Sequence, residues 1–332
     1  MHVLTDAGDI PADLKGGVLA LGNFDGVHRG HLAVLSRVKD VAKQTEAPAG
    51  VMTFTPHPRV FFQPDTPMFT LTSLQRKLEL FDAFGLDFVN VLTFDSALAD
   101  LSAEDFVKRF IVEVWQANHV MIGYNFFFGK GRTGTPEILR DLGETYGYEV
   151  TVIAPERNDE RIFSSSAVRQ LLRAGNVRDA AEILGHWWTV AGVVERGAGR
   201  GAGMGYPTVN VTLEPGQALH HGIYAARVWV DGHRFDGAAY NGRRPTFDNG
   251  AAKLETFLLD FNGELYGRKI DVELIDFIRP DEAFESAEAL TAQMDKDCAK
   301  AREILAEINS ADPMLRFPIG KAIAQSITTA RT

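Results

Sequence analysis

Residues 17–44 read GVLALGNFDGVHRGHLAVLSRVKDVAKQ, and they join a short apolar run to a segment whose apolar residues recur with helical spacing. The run GVLALG is typical of a buried strand, whereas HLAVLSRVKDVAKQ is typical of an amphipathic helix. The turn between them, GNFDGVHRGH at residues 22–31, is rich in glycine. A strand that leads through such a turn into a helix is the first unit of an α/β fold, in which ligands bind where strand ends meet helix starts.

Four more apolar runs continue this alternation to about residue 154. They read GVMTFT, DFVNVLTF, HVMIG and YEVTVIA, and segments with helical periodicity separate them. We therefore predict an α/β domain with a parallel sheet over residues 1–185.

The pattern changes from about residue 190 to β-branched and aromatic runs separated by turn residues. These runs read WWTVAGVVE, GIYAARVWV, KLETFLLDF and RKIDVELIDFI. They predict an antiparallel β domain, a small barrel, over residues 186–310, closed by an amphipathic helix over residues 284–308. Residues 164–185 predict two short helices broken at Gly175 and Asn176. Residues 311–332 are a tail, for which the expectation is an exposed or loosely ordered segment.

The bulk properties restrict the partners. The 332 residues exceed one ordinary core, and 34 basic against 44 acidic residues give a net charge of -10. That balance argues against nucleic-acid and membrane partners, so a polyanionic substrate must be bound locally by Mg²⁺, backbone amides and a few placed basic side chains. The single cysteine, Cys298, is interpreted as structural. With no signal peptide and no membrane-spanning apolar run in this sequence, we expect a soluble cytoplasmic protein.

A pair of histidines marks the glycine-rich turn. His28 and His31 are three residues apart where the helix begins, so their rings can lie on one side of its first turn. Gly22, Gly26 and Gly30 permit close backbone approach, and the unpaired amides and dipole of the helix start favour phosphate. This combination predicts a cradle for nucleotide phosphates. A histidine pair at this spacing also occurs for packing or helix capping, and a zinc site would need further ligands.

A second group of polar residues lies in the β half, where residues 203–210 read GMGYPTVN. Thr208 and Asn210 are two apart, so on an extended segment both face one side. Their hydroxyl and amide oxygens could bind Mg²⁺ and a nucleotide phosphate. An ordinary structural turn gives the same residues.

Together these motifs resemble the bifunctional riboflavin kinase and FMN adenylyltransferase family. GNFDGVHRGH looks like its GxFDGVHxGH element, whose HxGH core is shared by a wider class of nucleotidylyltransferases. TFTPHP at residues 53–58, GYNFFFGKGRTG at 123–134 and RIFSSSAVRQLL at 161–172 follow in the family's order. GMGYPTVN resembles the GFPTAN element of the kinase module, and NGRRPTF with LETFLLDFNGELYG resembles its later signature. The resemblance extends from about residue 17 to 308.

This resemblance implies an N-terminal Rossmann-like nucleotidylyltransferase domain with a parallel sheet and a C-terminal antiparallel β-barrel riboflavin kinase domain with a closing helix. It implies FAD biosynthesis in two steps. ATP first phosphorylates riboflavin to FMN, and AMP from a second ATP is then transferred to FMN, which gives FAD and pyrophosphate. The expected substrates and products are ATP, riboflavin, FMN and FAD, with Mg²⁺ as the cofactor.

The resemblance also implies roles for individual residues. The implied catalytic residues are His28, His31, Asn125, Arg161, Ser164, Ser165 and Glu255. Among them the histidines and Asn125 act on the ATP phosphates, residues 161–165 form a second phosphate loop, and Glu255 is the general base for the riboflavin 5′-hydroxyl. The residues implied to bind ATP or its phosphates are Gly22, Phe24, Asp25, Gly26, Gly30, Arg169, Gly205, Thr208 and Asn210. Those implied to border the flavin are Phe54, Pro56, His57, Pro58, Phe126 and Phe128. The implied metal ligands are Thr208 and Asn210.

Structural alternatives exist for several of these residues. Phe126, Phe127 and Phe128 also fit a core, Pro56 and Pro58 also fit a stiffened turn, and Glu255 also fits an outward-facing strand position.

Departures from the family pattern define the alternatives for function. Ser166 and Ala167 stand where Thr and a variable, often polar residue are usual. Ala202 stands where an arginine is usual, and Phe257 replaces a common histidine. One alternative is an FMN adenylyltransferase with a weak or inactive kinase domain. Another is a non-catalytic flavin-binding protein.

Overall fold

The chain forms two compact units. The computed structural model describes residues 1–8, 10–157, 161–196, 206–242 and 253–329. One unit consists of Met1–Pro67 and Leu74–Ser164, and the other of Met68–Ser73 and Ser165–Thr332. The contacts therefore divide the chain after residue 164, and the boundary between residues 185 and 186 stays a prediction about the functional domains.

The first unit is built on a six-stranded sheet in the order β1-β4-β3-β2-β5-β6, in which every pairing is parallel. The strands are β1 (His2–Thr5), β2 (Val18–Leu21), β3 (Ala49–Thr55), β4 (Phe88–Thr93), β5 (His119–Gly123) and β6 (Glu149–Ile153). The predicted parallel sheet is confirmed. The sequence pattern missed β1, because its four residues are mostly exposed at the sheet edge and lack an apolar run.

Helices connect these strands. They are α1 (Arg29–Gln44), α2 (Pro58–Phe62), α3 (Leu74–Phe84), α4 (Ser96–Ala99), α5 (Ala103–Phe106) with a π-helical continuation Val107–Val114, and α6 (Pro136–Tyr146). The amphipathic pattern of α1 has its expected effect, since Leu35 and Val38 are fully buried.

The strand order fixes where a ligand can bind in this unit. β2 lies at the centre, and the chain continues from it to β3 on one side and later to β5 on the other. Connections that leave a central strand in opposite directions open a crevice at the carboxyl ends of the strands. The glycine-rich turn after β2 lies at this edge of the sheet.

The second unit contains an antiparallel sheet in the order β7-β12-β9-β10-β11-β8. The strands are β7 (Thr189–Val193), β8 (Thr208–Thr212), β9 (Gly222–Val230), β10 (His233–Asn241), β11 (Lys253–Leu258) and β12 (Lys269–Pro280). The Glu195 amide donates to the Asn210 carbonyl at 2.9 Å and links the ends of β7 and β8. The sheet is therefore a nearly closed barrel, as predicted.

Four helices complete the second unit: α7 (Ser165–Arg173), α8 (Val177–Leu184), α9 (Ala287–Ser310) and α10 (Pro318–Thr329). Gly175 has a φ of +81° and breaks α7 from α8, as predicted. Helix α9 matches the predicted closing helix and packs Ile304 and Leu305 into a core with barrel residues. Among the helices of the described residues, none has both the length and the apolar composition that a membrane crossing requires.

A six-residue segment, Met68–Ser73, belongs to the second unit although its neighbours in the chain belong to the first. Phe69 and Leu71 are buried, and the Phe69 ring meets the Trp188 ring edge to face at 5.8 Å. The Trp188 indole donates to the Leu71 carbonyl at 2.9 Å, and Arg169 Nε donates to the Phe69 carbonyl at 2.6 Å. The second unit is thus assembled from two separate stretches of the chain.

The expectation of a loosely ordered tail is wrong for its described part. After α9 the chain forms a 3₁₀ turn, Pro313–Arg316, and then α10, and Ile319 is fully buried. Asp312 connects this tail to the barrel. Its carboxylate accepts from Arg227 Nη1 at 2.8 Å and from the Trp187 indole at 3.1 Å. Arg227 is itself buried in the barrel and is also bonded to Glu273, at 2.9 Å.

Replacing Asp312 with alanine is expected to destabilise the second unit by about 3 kcal/mol, because Arg227 would keep a buried charge with one of its two carboxylate partners removed. The measurement is urea unfolding followed by tryptophan fluorescence. The matched control is Asp260→Ala, which removes the partner of the exposed Arg302, bonded at 2.7 Å, and should have a much smaller effect on stability. Equal losses in the two variants would contradict the anchoring role of Asp312.

Candidate active sites

The loop after β2 has an unusual backbone. Phe24, Gly26 and Val27 have φ values of +49°, +86° and +43°. Positive φ is costly for a β-branched residue such as Val27 and persists only where the surroundings impose it. The Asn23 carbonyl accepts from Thr53 Oγ1 of β3 at 3.2 Å, which holds the loop against the neighbouring strand.

His28 and His31 stand together at the start of α1, as their spacing predicts. Their rings stack with centroids 3.6 Å apart and planes inclined by 20°. His28 is the N-cap of α1, and its Nδ1 accepts from the His31 amide at 3.3 Å. A ring whose Nδ1 accepts carries its proton on Nε2. Capping and ligand binding are therefore compatible, because they use different nitrogens of the same ring.

The His31 ring is neutral. Burial holds its pKa well below the usual value, and the nearby His28 and Lys77 lower it further. Its Nδ1 is buried and has no hydrogen-bond partner among the described residues. The ring packs edge-on against Phe24 at 5.1 Å, and Phe24 is buried. Phe24, which the resemblance assigned to ATP binding, thus packs against the ring of His31.

Gly30 allows the chain at Phe163 to approach α1 closely. A Cβ at this position would lie 3.0 Å from the Phe163 carbonyl oxygen and 3.1 Å from the His28 ring. The Arg29 guanidinium lies over the Phe163 ring at 4.2 Å. The stretch with Arg161 and Ser164 therefore passes next to residues 22–31, which carry both histidines and are called the histidine turn below.

Two more residues of that motif belong to the second unit. Ser165 is the first residue of α7, and Arg169 lies one turn later on the same helix. The Nε of Arg169 is bonded to the Phe69 carbonyl, so this residue has a structural partner. The roles of Ser165 and Arg169 in ATP binding stay predictions.

An aromatic cavity of about 570 Å³ lies in the first unit, at the carboxyl end of its sheet. It unites residues from two of the predicted motifs: Phe54, His57, Pro58, Asn125, Phe126 and Phe128. Pro56, which follows a cis peptide bond, is not among its lining residues. Phe54 and Phe128 are buried core residues as well, so the core alternative fits Phe128, and the role of these rings in flavin binding stays a prediction.

The sequence analysis assigned no role to several residues that line this cavity. They are Asn23, Arg59, Phe62, Phe94, Phe106 and Arg132. Most lie outside the recognised motifs, whereas Asn23 and Arg132 lie inside motifs but had been assigned no role. The Phe54 and Phe94 rings meet at 6.0 Å, which joins a predicted wall to a missed one. A cavity lined by several aromatic rings and some polar side chains fits a planar heteroaromatic ring.

The second group of polar residues, Thr208 and Asn210 with Glu255, lies across β8 and β11. In the antiparallel register Asn210 is opposite Glu255 and Thr208 is opposite Phe257. Residues opposite each other or two apart share a face of the sheet, so Thr208, Asn210 and Glu255 face the same side. The predicted grouping of Thr208 and Asn210 is confirmed. Glu255 is half-buried on this face, and its role as a base stays a prediction.

The same face packs against α9. Phe257 joins the core that contains Leu305 of α9, and its ring meets that of Tyr206 at 5.0 Å. The Tyr206 hydroxyl donates to Asp295 of α9. Asn210 is buried, and its Oδ1 has no partner among the described residues, whereas its Nδ2 donates to the Thr208 carbonyl at 3.3 Å. Gly205, Ala202 and residues 243–247 of the NGRRPTF motif lie outside the described residues.

Comparisons with known proteins match both halves of the chain. The FAD synthetase family model matches residues 10–167, and the riboflavin kinase family model matches residues 184–305. The bifunctional riboflavin kinase/FMN adenylyltransferase of Pseudomonas fluorescens is 36% identical over 92% of this chain and 98% of its own length. The protein of the same name from Escherichia coli K12 is 36% identical over 88% of this chain and 94% of its own.

A solved structure has the same overall architecture. It is described as a macrolide-efflux protein from Streptococcus pneumoniae, is 28% identical, and superposes with a TM-score of 0.81 over 91% of this chain and 99% of its own.

Proposed function

Because this chain belongs to the bifunctional riboflavin kinase/FMN adenylyltransferase family, we propose that the histidine turn and Glu255 are the centres of its two reactions. Its function is FAD biosynthesis through both steps. The C-terminal domain phosphorylates riboflavin to FMN with ATP, and the N-terminal domain transfers AMP from ATP to FMN with release of pyrophosphate. The match of both family models disfavours the two alternatives, a lone adenylyltransferase and a non-catalytic flavin-binding protein.

In adenylyl transfer an oxygen of the FMN phosphate attacks the α-phosphorus of ATP, and the bond to pyrophosphate breaks. The attacking phosphate is already an anion, so no base is needed to form it. The demand is for placed donors that stabilise charge as it gathers on the phosphates. We assign this role to the Nε2–H of His28, the N–H of the neutral His31 ring, and the α1 start.

The remaining residues of the first unit have supporting roles in this proposal. Arg161 and Ser164 would contact phosphate, since their loop passes beside Gly30. The aromatic cavity would bind the flavin ring, with Asn125 at its boundary with the phosphates. The observation that supports this arrangement best is the stacked pair of imidazoles, together with an aromatic cavity in the same unit.

The kinase step has a different requirement, because the riboflavin 5′-hydroxyl must lose a proton as it attacks the γ-phosphorus of ATP. We assign Glu255 as the base, since it is the carboxylate opposite Asn210 on the face that carries Thr208. The proton moves to Glu255, the new P–O bond forms, and ADP leaves.

Residues of the kinase site fit Mg²⁺. Asn210 offers a buried amide oxygen that lacks a partner among the described residues, and Thr208 offers a hydroxyl on the same face. Oxygen ligands of this kind suit Mg²⁺. When bound with ATP, Mg²⁺ neutralises charge on the phosphates. Thr208 and Asn210 would hold it and orient the nucleotide toward Glu255.

The proposal includes the location of the enzyme. Its substrate ATP and its flavin products belong to the cytoplasm, and a chain with one cysteine needs no oxidising compartment. We propose a cytoplasmic enzyme.

The test is the purified protein with riboflavin, ATP and Mg²⁺, followed by chromatography of the flavins over time. FMN should appear first and FAD second, and chelation of the metal with EDTA should stop FMN formation. FAD that forms only when FMN is supplied would contradict the assignment of a working kinase site, and would point to Phe257 and Ala202 as damaging departures. FMN formation that continues in excess EDTA would remove Mg²⁺ from the proposal.

A further inference from the structure

Lys77 is a buried cation that none of the recognised motifs contains. It lies on α3 with Leu80 and Phe81 as the buried residues of that helix, and only 6% of its surface is exposed. Lysine is almost never buried to this extent unless it is paired, because taking an ammonium from water is costly. An apolar residue at this position would satisfy the helix pattern. The lysine therefore needs another explanation.

The partner of Lys77 is the loop that carries the histidines. Its Nζ donates to the Asn23 carbonyl at 2.7 Å, across 54 positions of sequence. The same carbonyl accepts from Thr53 Oγ1 of β3. Two donors from two elements thus fix one backbone carbonyl at the start of the left-handed turn.

Asn23 lies where two parts of the candidate site meet. It lines the aromatic cavity, and its side-chain Oδ1 is buried without a partner among the described residues. The next residues along the chain lead to His28 and His31. A displacement of the Asn23 backbone would therefore change the position of the cavity wall relative to the histidines.

The charge of Lys77 also reaches the histidines. Burial lowers its pKa to about 8, while the nearby Asp25 raises it, so the side chain is an ammonium at neutral pH. Asp25 of the β2–α1 turn raises the pKa of Lys77, and the Lys77 ammonium in turn lowers the pKa of His31 in the first turn of α1. An ammonium behind this turn favours the binding of polyphosphate in front of it.

We propose that Lys77 is a positioning residue for adenylyl transfer, which holds the Asn23 backbone and supplies a positive charge behind the phosphate cradle. The inference rests on the proposed function of the histidine turn. Lys77 acts through the loop and does not touch the reacting atoms.

The test compares Lys77→Met and Lys77→Arg with a matched control, Lys39→Met. Lys39 lies on α1 in the same unit and donates to the Phe84 carbonyl at 2.6 Å, so the control removes the same kind of bond away from the histidines. Steady-state FAD formation from FMN and ATP is measured for each variant. Lys77→Met should lower kcat on the order of 10-fold or more, with KM for FMN changed about threefold or less, because the alignment of the ATP phosphates is lost while most of the residues that line the aromatic cavity are unchanged.

Two further readouts separate positioning from folding. Lys77→Arg keeps the charge and should recover most of kcat. The wild-type kcat should fall as pH rises above about 8, where Lys77 loses its proton, and Lys77→Arg should lack this decline because a guanidinium stays charged. Lys39→Met should retain kcat within about twofold.

Several results would overturn the inference. They are an unchanged kcat in Lys77→Met, a rise in KM as large as the fall in kcat, an equal loss in Lys39→Met, or the same alkaline decline in wild type and Lys77→Arg. Failure of the proposed function is distinguishable. If His28 variants still make FAD, the histidine assignment fails, whereas a defective His28 variant beside a normal Lys77→Met protein refutes only the role of Lys77.

Discussion

Replacing His28 with alanine should lower FAD formation from FMN on the order of 10²- to 10³-fold while FMN formation from riboflavin continues. The variant loses the Nε2–H donor that we assign to the ATP phosphates. The kinase reaction is retained because its residues belong to the other unit. Both rates can be measured on one preparation by chromatography with riboflavin or FMN as the starting flavin.

A second variant separates the two functions of this histidine. Alanine also removes the N-cap of α1, which costs about 1 kcal/mol of stability. His28→Asn keeps a good N-cap and lacks the imidazole donor, so it should be as defective in FAD formation as alanine yet more stable to urea. Wild-type activity in His28→Asn would limit His28 to capping, and equal loss of both reactions in either variant would contradict separate sites.

Replacing Glu255 with glutamine should lower FMN formation on the order of 10²-fold or more, because the amide cannot take the proton of the riboflavin hydroxyl. FAD formation from supplied FMN should stay within about twofold of wild type, since that reaction needs no base. The measurement is the initial rate of FMN release with saturating riboflavin and ATP. An unchanged kinase rate would remove Glu255 as the base.

The chain offers a matched control for this carboxylate. Glu195 lies beside the same strand, accepts from Thr212 at 2.9 Å, and pairs with Lys253 at 3.0 Å. Glu195→Gln makes the same chemical change on a carboxylate occupied by other partners. It should retain kinase activity within about threefold. A loss as large as that of Glu255→Gln would mean that charge near the barrel edge, and not a specific base, drives the reaction.

Local pattern predicted the features that depend on neighbours in sequence. The histidine pair, its helix and the strands of the parallel sheet follow from spacing within about a dozen residues. The break at Gly175 and the closing helix follow for the same reason. The pattern failed at β10, whose sequence HRFDGAAYN contains no β-branched residue and pairs on both sides with strands that supply its burial.

Features that depend on contacts between residues far apart in the chain could not be predicted from the local sequence pattern. Lys77 interrupts an apolar stripe, and only the position of Asn23, 54 residues earlier, explains it. The described part of the tail is held against the barrel by the contact of Asp312 with Arg227, 85 residues away. The cavity walls come from several separate segments. The opposition of Glu255 and Asn210 is a matter of strand register, which no spacing along the chain determines.

The segment Met68–Ser73 limits where the chain can be cut to express the second unit alone. A truncated gene that begins at residue 165 encodes a product without the carbonyl that the buried Trp188 indole requires, and with the surface under Phe69 open to water. On the ribosome, the same six residues emerge 100 to 117 positions before Arg169 and Trp188, a delay of roughly 5 to 25 seconds at about 5–20 residues per second. A separately expressed barrel domain therefore needs residues 68–73 to be added back to its sequence.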